Sequence, residues 1–285
     1  MLGILFSLAP LIGWGAADYI ASKYSRQLLP VTINLFFSAG ATIITLIVCL
    51  FFGFPEITLF GLLQYLGISI LLTSGFLSMV KAFSIGATGV VAPIANSYAV
   101  LTAIISVVLL GDEMKLTGAV GLVVIVIGIA LLTYKKDPNH NKRDFERSVV
   151  FSIMALIFFG VGFSLFDIAS TQRWYQNNML FQMTGLVIAT VIYIIWVKKD
   201  RIKKIRIASK LPLLYLGSVF GGLGAVGLFA AFEQVDNVAI PAAVAAAAPL
   251  MTAFLAYKFD KEHLTGIQRL ASVVIVGGIV LLSVV

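Results

Sequence analysis

Apolar residues run along this chain in stretches broken by short polar connections, and the length of each stretch is the first informative quantity. Crossing the hydrocarbon core of a bilayer takes about 20 apolar residues, within a range of about 17–25. Ten stretches meet that measure: 2–22, 31–53, 59–80, 88–110, 116–134, 148–170, 178–197, 211–232, 238–257 and 264–285. Backbone groups in lipid have to be satisfied within each segment, so the stretches predict helices. Polar residues interrupt the third and the eighth. No connection is long enough to hold a further soluble domain. The first stretch has no Lys or Arg in positions 1–5, unlike the basic flank of a secretory signal, and is expected to stay in the mature chain.

Composition agrees with an all-α integral membrane protein. Of the 285 residues, 60% are hydrophobic and 12% charged, where a soluble domain carries roughly 25% charged residues. That excludes a soluble enzyme. The net charge of +7 is confined to connections between apolar stretches, which points to anionic lipids on a cytoplasmic face and not to nucleic acid. Seventeen of the twenty Lys and Arg residues fall on one side of the predicted bundle. Lys115 and Arg173 fall on the other, and Arg269 lies in the last span. The basic side is expected to be the cytoplasm, which puts both termini outside a multi-pass protein of the cell membrane. Segment 198–210 holds seven basic residues in thirteen and reads as an anchor to the inner leaflet.

Little supports catalysis, a metal or a cofactor. Cys49 is the single cysteine, His140 and His263 have no ligand partner at metal spacing, and no H-E-x-x-H occurs. Gly222-Leu223-Gly224-Ala225-Val226-Gly227 fits the dinucleotide fingerprint G-x-G-x-x-G. That motif needs a strand before it; inside an apolar helix, small residues instead permit close helix packing.

The two halves of the chain echo each other. Asp18 near the end of the first span is matched by Asp167 near the end of the sixth, each followed by Ile-Ala-Ser within a few residues. Pro93 is matched by Pro241, Thr102-Ala103 by Thr252-Ala253, and Leu116-Thr117-Gly118 by Leu264-Thr265-Gly266, all at offsets of 148–150. Five spans per half is an odd number, so the second half enters the membrane upside down. The expected organisation is a first repeat over 1–134, a basic cytoplasmic linker over 135–147 and a second, inverted repeat over 148–285. Inverted repeats build alternating gates around a midplane site in many secondary transporters.

Trp14-Gly15, Lys81-Ala82-Phe83, Ala92-Pro93, Gly111-Asp112-Glu113 and a Gly-rich fifth span follow in order. In the second half come Ala231-Phe232, Pro241, Pro249, Glu262-His263-Leu264 and Gly277-Gly278. Together these resemble the EamA-like branch of the drug/metabolite transporter superfamily over essentially the whole chain. The resemblance departs at Asp112, which intervenes in an acidic motif usually read Gly-Glu. It departs again at the alanine-rich run 242–248, which leaves the ninth span little polar chemistry for a substrate. It implies spans 1, 3, 4, 6, 8 and 9 around a path, with spans 5 and 10 as scaffold through Gly121, Gly128, Gly277 and Gly278.

Ionisable groups within spans are costly and mark candidate function. Asp18 and Lys81 are expected to form part of an inner gate, and Asp167 and Arg173 part of an outer one, with Glu233 nearby; interfacial solvation is the competing reading. Low dielectric favours the neutral carboxyl, so Asp18, Asp167 and then Glu233 are candidates for a coupling proton. Pro10, Trp14 and Asp18 share one helical face, and the resemblance favours a cavity role for Trp14. Asn34, Ser38, Thr42 and Thr45 form a polar stripe that more often glues helices together; Asn34 is retained as a ligand contact. Gln64, Asn96, Tyr98 and Gln182 complete the candidate lining. Pro93 and Pro241 each remove a helix hydrogen bond and are candidate hinges. The expected function is secondary transport of a small polar or amphipathic metabolite of the exporter type, without ATP, by a monomer. A sugar facilitator, a proton–sugar symporter and a non-transporting scaffold are the alternatives.

Overall fold

The computed structural model describes residues 2–86, 88–111, 115–132, 142–169, 172–197, 201–235, 239–259 and 266–283. These are mostly helical, with no strand among them. In order they form α1 (Leu2–Tyr24), α2 (Pro30–Phe52), α3 (Leu59–Ile85), α4 (Thr88–Asn96) and α5 (Tyr98–Ile105), which runs into a π-helical turn, Ser106–Leu110. Then come α6 (Leu116–Leu132), α7 (Lys142–Ala169), α8 (Trp174–Trp196), α9 (Arg201–Ala208) and α10 (Pro212–Phe232). The last three are α11 (Ala239–Ala245), α12 (Ala248–Phe259) and α13 (Gly266–Ser283). Among the described residues, seven helical stretches are long and apolar enough to cross a membrane, the seventh running through α11 and α12; three other apolar stretches are shorter.

Local chemistry sets several ends. Pro30 and Pro212 open α2 and α10 at a position where a missing N–H costs nothing. The Thr58 side chain accepts a hydrogen bond from the Gly61 N–H at 3.1 Å and caps α3. Gly53 ends α2 with φ +113°, and Gly111 ends the π-helical turn with φ +78°, both conformations that favour glycine. Two bounds differ most from those expected. The α3 helix continues past Lys81 to Ile85, because the lysine is exposed and interrupts no backbone bond. The α7 helix starts at Lys142, inside the segment expected as a linker.

The fourth and ninth expected spans are each broken. In the first, the backbone tightens at Ser97, whose N–H reaches Ile94 at 3.3 Å while Asn96 Nδ2 donates to the Ala92 carbonyl at 2.9 Å. Such back-bonding competes with the helix and bends it. In the second, Ala247 N–H reaches back only to Val244, at 3.1 Å. Pro249 supplies no N–H and its ring crowds the carbonyl four residues earlier, which accounts for the break.

Packing interleaves the two halves. The α1 helix packs on α10, α11 and α12; α7 packs on α3, α4 and α5; α6 pairs with α13; and α2 lies against α8 and α10. The glycine run that mimics a dinucleotide motif is a packing seam. A Cβ on Gly222 would meet Ala41 Cα at 2.9 Å, and one on Gly227 would collide with Ala9. Between α6 and α13, Gly128 faces Ile275 and Gly278 faces Ile125 and the Gly121 carbonyl, while a Cβ on Gly277 would meet nothing within 4 Å.

Gly224 gives the sharpest test of this seam. A Cβ there would sit 2.7 Å from Trp14 Cδ1. Gly224→Ala is expected to cost about 1–3 kcal/mol, the usual range for overpacking, and to push the indole off its position. Thermal unfolding in detergent and Trp14 fluorescence check this; an unchanged melting point and an unchanged spectrum would show that the seam is loose.

Candidate functional site

Between these helices lies a cavity of about 190 Å3. It sits in the half of the bundle where α1 ends, α2 begins and α3 ends. Trp14 and Asp18 reach it from α1, Asn34 and Ser38 from α2, Thr73 from α3 and Gln182 from α8. Asn96 and Tyr98 flank the break at Ser97, and Ala248 follows the break in the ninth span. Five of the six residues expected to bind substrate therefore converge, together with Asp18. Gln64 is half-buried on α3 and does not line the cavity.

Rings make up much of the wall. Tyr98 stacks on Phe163 with centroids 4.8 Å apart, and Trp14 lies 5.7 Å from the same ring. Phe37, Phe76, Phe159 and Phe181 extend the lining. Trp14 is held by its Nε1–H, which donates to the Gly221 carbonyl at 3.2 Å. Tyr98 Oη–H points at the Ala242 carbonyl, 3.5 Å away.

Two polar groups are left for a visitor. Asn34 is 5% exposed, and its Nδ2 has no hydrogen-bond partner among the described residues. A buried donor without an acceptor costs about 1–3 kcal/mol, so it is retained for a reason. Among the described residues no donor sits on the Asp18 carboxylate, which shares the cavity wall with Tyr98. No lysine, arginine or histidine lines the cavity among the described residues. The wall can thus accept from hydroxyls or a cation at Asp18, donate from Asn34, and cover a flat apolar face with its rings.

The lower stripe of α2 is glue, as such stripes usually are. Thr42 Oγ1 donates to the Gln182 carbonyl at 3.1 Å. Gln182 Nε2 donates to Asn178 Oδ1 at 3.2 Å, and Asn178 Nδ2 to Thr45 Oγ1 at 3.1 Å. These bonds join α2 to α8 and fix Gln182 at the cavity wall.

The other expected gating residues are dispersed. Lys81 is exposed and makes no ion pair with Asp18 among the described contacts. Arg173 pairs with Glu233, Nε to Oε1 at 3.0 Å, joining α8 to the end of α10. The Asp167 side chain lies outside the described residues, as does that of Pro93. Pro241 is buried in α11 and is not part of the lining.

At the Arg173–Glu233 end the bundle is shut. Phe166 meets Phe229, Phe181 and Phe232 at centroid distances of 4.9, 5.3 and 5.7 Å. Tyr65 Oη donates to the Ala169 carbonyl beside them at 3.2 Å. Above this aromatic plug, Gln172 makes a two-way bond to the Glu56 backbone: its Nε2 donates to the carbonyl at 2.9 Å and its Oε1 accepts from the N–H at 3.0 Å. Gln176 Nε2 donates to the Phe54 carbonyl at 2.8 Å. The loop after α2 is thereby tied to the start of α8.

The model of the EamA-like transporter family matches this chain twice, over residues 1–134 and 147–284. The chain belongs to the EamA-like transporter family. It is therefore a membrane transporter by family. A relative named "Putative ribose uptake protein RbsU" in Staphylococcus aureus (strain COL) is 29% identical over 209 residues, 68% of this chain and 67% of that one. A relative of the same name in Staphylococcus epidermidis (strain ATCC 12228 / FDA PCI 1200) is 26% identical over 205 residues, 67% of this chain and 66% of its own length. A solved crystal structure aligns over 99% of this chain and 96% of its own with a TM-score of 0.72 at 13% identity, a likeness of fold.

Sequence reasoning missed the aromatic wall and the Gln172–Glu56 tie. The phenylalanines carried no signal, since the chain has 21 of them, most in helices that are apolar on every side. Gln172 and Gln176 were visible only as polar residues in a connection.

Proposed function

We propose that this EamA-family protein is a secondary transporter that moves a small uncharged polyol of the monosaccharide type across the cell membrane. In this reading ten spans, as two inverted five-helix halves, work by alternating access. The cavity carries the proposal: a buried free amide at Asn34, a carboxylate at Asp18 and an aromatic wall, with no basic side chain in the described lining. Sugar hydroxyls both accept and donate, and the apolar face of a sugar ring packs on aromatic rings. An anionic or zwitterionic metabolite needs a cation for its carboxylate, which weighs against the amino-acid exporter reading. The names of the staphylococcal relatives point the same way.

The inverted-repeat reading is supported by exchange of contacts between halves. The α1–α10 pairing has its counterpart in α7–α3, and α1–α12 in α7–α5. Thr252 Oγ1 donates to the Gly15 carbonyl at 2.9 Å, and its counterpart Thr102 donates to the Gly160 carbonyl at 3.2 Å. The helix breaks at Ser97 and at Ala246–Ala247 are also counterparts. By the distribution of basic residues the plugged end faces outward and the cavity half faces the cytoplasm.

Counterflow in proteoliposomes tests the reading. Saturable exchange of a pentose or hexose is expected, with no exchange of sugar phosphates or amino acids. Asn34→Leu is expected to raise KM several-fold through loss of the free donor. Saturable exchange of an anionic or zwitterionic solute alone would overturn the sugar assignment, and exchange of nothing on a broad panel would overturn transport of such solutes.

A further inference from the structure

We infer that α9 is an interfacial helix that docks on the headgroups of anionic phospholipids, independently of what the cavity carries. The helix lies between the end of α8 and the start of α10, and its sequence alternates isoleucine with lysine and arginine. One side is docked: Ala208 is fully buried in a cluster with Ile20, Tyr24 and Leu214. The opposite side presents Ile202, Lys203, Arg206 and Ile207 together, by their spacing on a helical wheel. Ile202 is 82% exposed, and an isoleucine so placed on a water-facing helix would serve no packing purpose.

Depth is set by two aromatic residues. Trp196 closes α8 at 73% exposure. Tyr215, in the first turn of α10, is exposed and donates from Oη to the Ser209 carbonyl at 3.2 Å, pinning the connection after α9. Exposed Trp and Tyr at the ends of apolar helices mark the headgroup level, and α9 lies between them. At that level the isoleucines meet the acyl boundary, and the long basic side chains reach up to phosphates.

Charge selects the lipid. Lys203, Lys204, Arg206 and Lys210 have no acidic partner among the described residues. Four unpaired cations on one short segment match an anionic headgroup layer, and each basic residue near such a surface adds to the attraction. A zwitterionic headgroup offers no net charge to hold them.

The test uses the full chain with Ile202→Cys carrying a fluorophore; Cys49 is buried and stays unlabelled. Vesicles contain either brominated phosphatidylglycerol or brominated phosphatidylcholine as quencher, at equal mole fraction in otherwise identical lipid. Quenching by the anionic lipid is expected to be stronger by about threefold or more, to fall towards equality at high salt, and to be insensitive to inorganic phosphate. In the K203Q/R206Q/K210Q variant, whose changes are at exposed positions, the ratio is expected to approach one. Equal quenching by both lipids in the parent protein would overturn the inference, as would a ratio retained by the triple variant. Loss of the preference in millimolar phosphate would assign the site to a free anion instead. None of these readouts needs a transported solute, so failure here leaves the transport proposal standing, and the reverse.

Discussion

Replacing Asp18 by asparagine is expected to abolish solute accumulation driven by a proton gradient while leaving downhill exchange in place. Asparagine keeps the size and shape of the side chain and removes its ability to take up a proton. Asp18 lines the cavity without a cation or a hydrogen-bond donor among the described residues, so none of these residues holds its charge. A carboxylate in such a setting is stable only when a proton, a cation or a polar solute accompanies it. If binding of solute and proton alternate with the two openings, removal of the proton site uncouples movement from the gradient without closing the path. The measurement compares uptake with an imposed pH gradient against counterflow without one, in the parent protein and in Asp18→Asn. Gradient-driven accumulation that persists in the variant would remove Asp18 from coupling. Loss of both activities in a protein that still folds would make it a solute contact alone.

Joining positions 56 and 172 with a short thiol-cleavable cross-linker is expected to stop transport completely, and cleavage to restore it. Gln172 bridges to the Glu56 backbone twice, with the Phe166 plug beneath. If the path is to open at that end, the loop after α2 must part from the start of α8, which breaks these bonds and that of Gln176 to Phe54. A covalent tie between Glu56→Cys and Gln172→Cys holds the loop in place. Each hydrogen bond contributes only about 0.5–1.5 kcal/mol net, so the native tie yields to substrate-driven change and the covalent one does not. The single native cysteine is buried, which keeps the background low. Full flux in cross-linked protein would show that solute does not leave or enter by this end.

Hydropathy located the seven long apolar helices because a bilayer imposes a length and a solvent that a span has to meet. It did so less well where the sequence is satisfied locally. Lys81 looked like the end of a span, yet a lysine at the edge of lipid reaches water without ending its helix. Pro93 and Pro241 are the expected hinges, and the backbone breaks in their spans fall a few residues later, at Ser97 and at Ala246–Ala247. Pro249 and the Asn96 side chain are the local causes. The cavity was legible where a polar residue stood out in an apolar span, as Asn34, Asn96 and Gln182 did. The same signal misled at Gln64, because polarity shows that a partner is wanted and not where it lies. The rings at Phe37, Phe159 and Phe163 were hidden, since in a helix apolar all round no periodicity separates the face towards a cavity from the face towards lipid.

The interleaving of helices has a consequence for how the molecule is made. The indole of Trp14 is held by Gly221, and the carbonyl of Gly15 by Thr252. A ribosome therefore finishes α1 nearly two hundred residues before its partner α10 begins. During that interval the small faces at Gly13 and Gly15 meet lipid or a chaperone and not their helices. The same holds for α3, which waits for α7. Assembly thus requires both halves to be present. Two separately synthesised halves, cut between α6 and α7 and placed in one membrane, should recover the native packing where either half by itself is degraded.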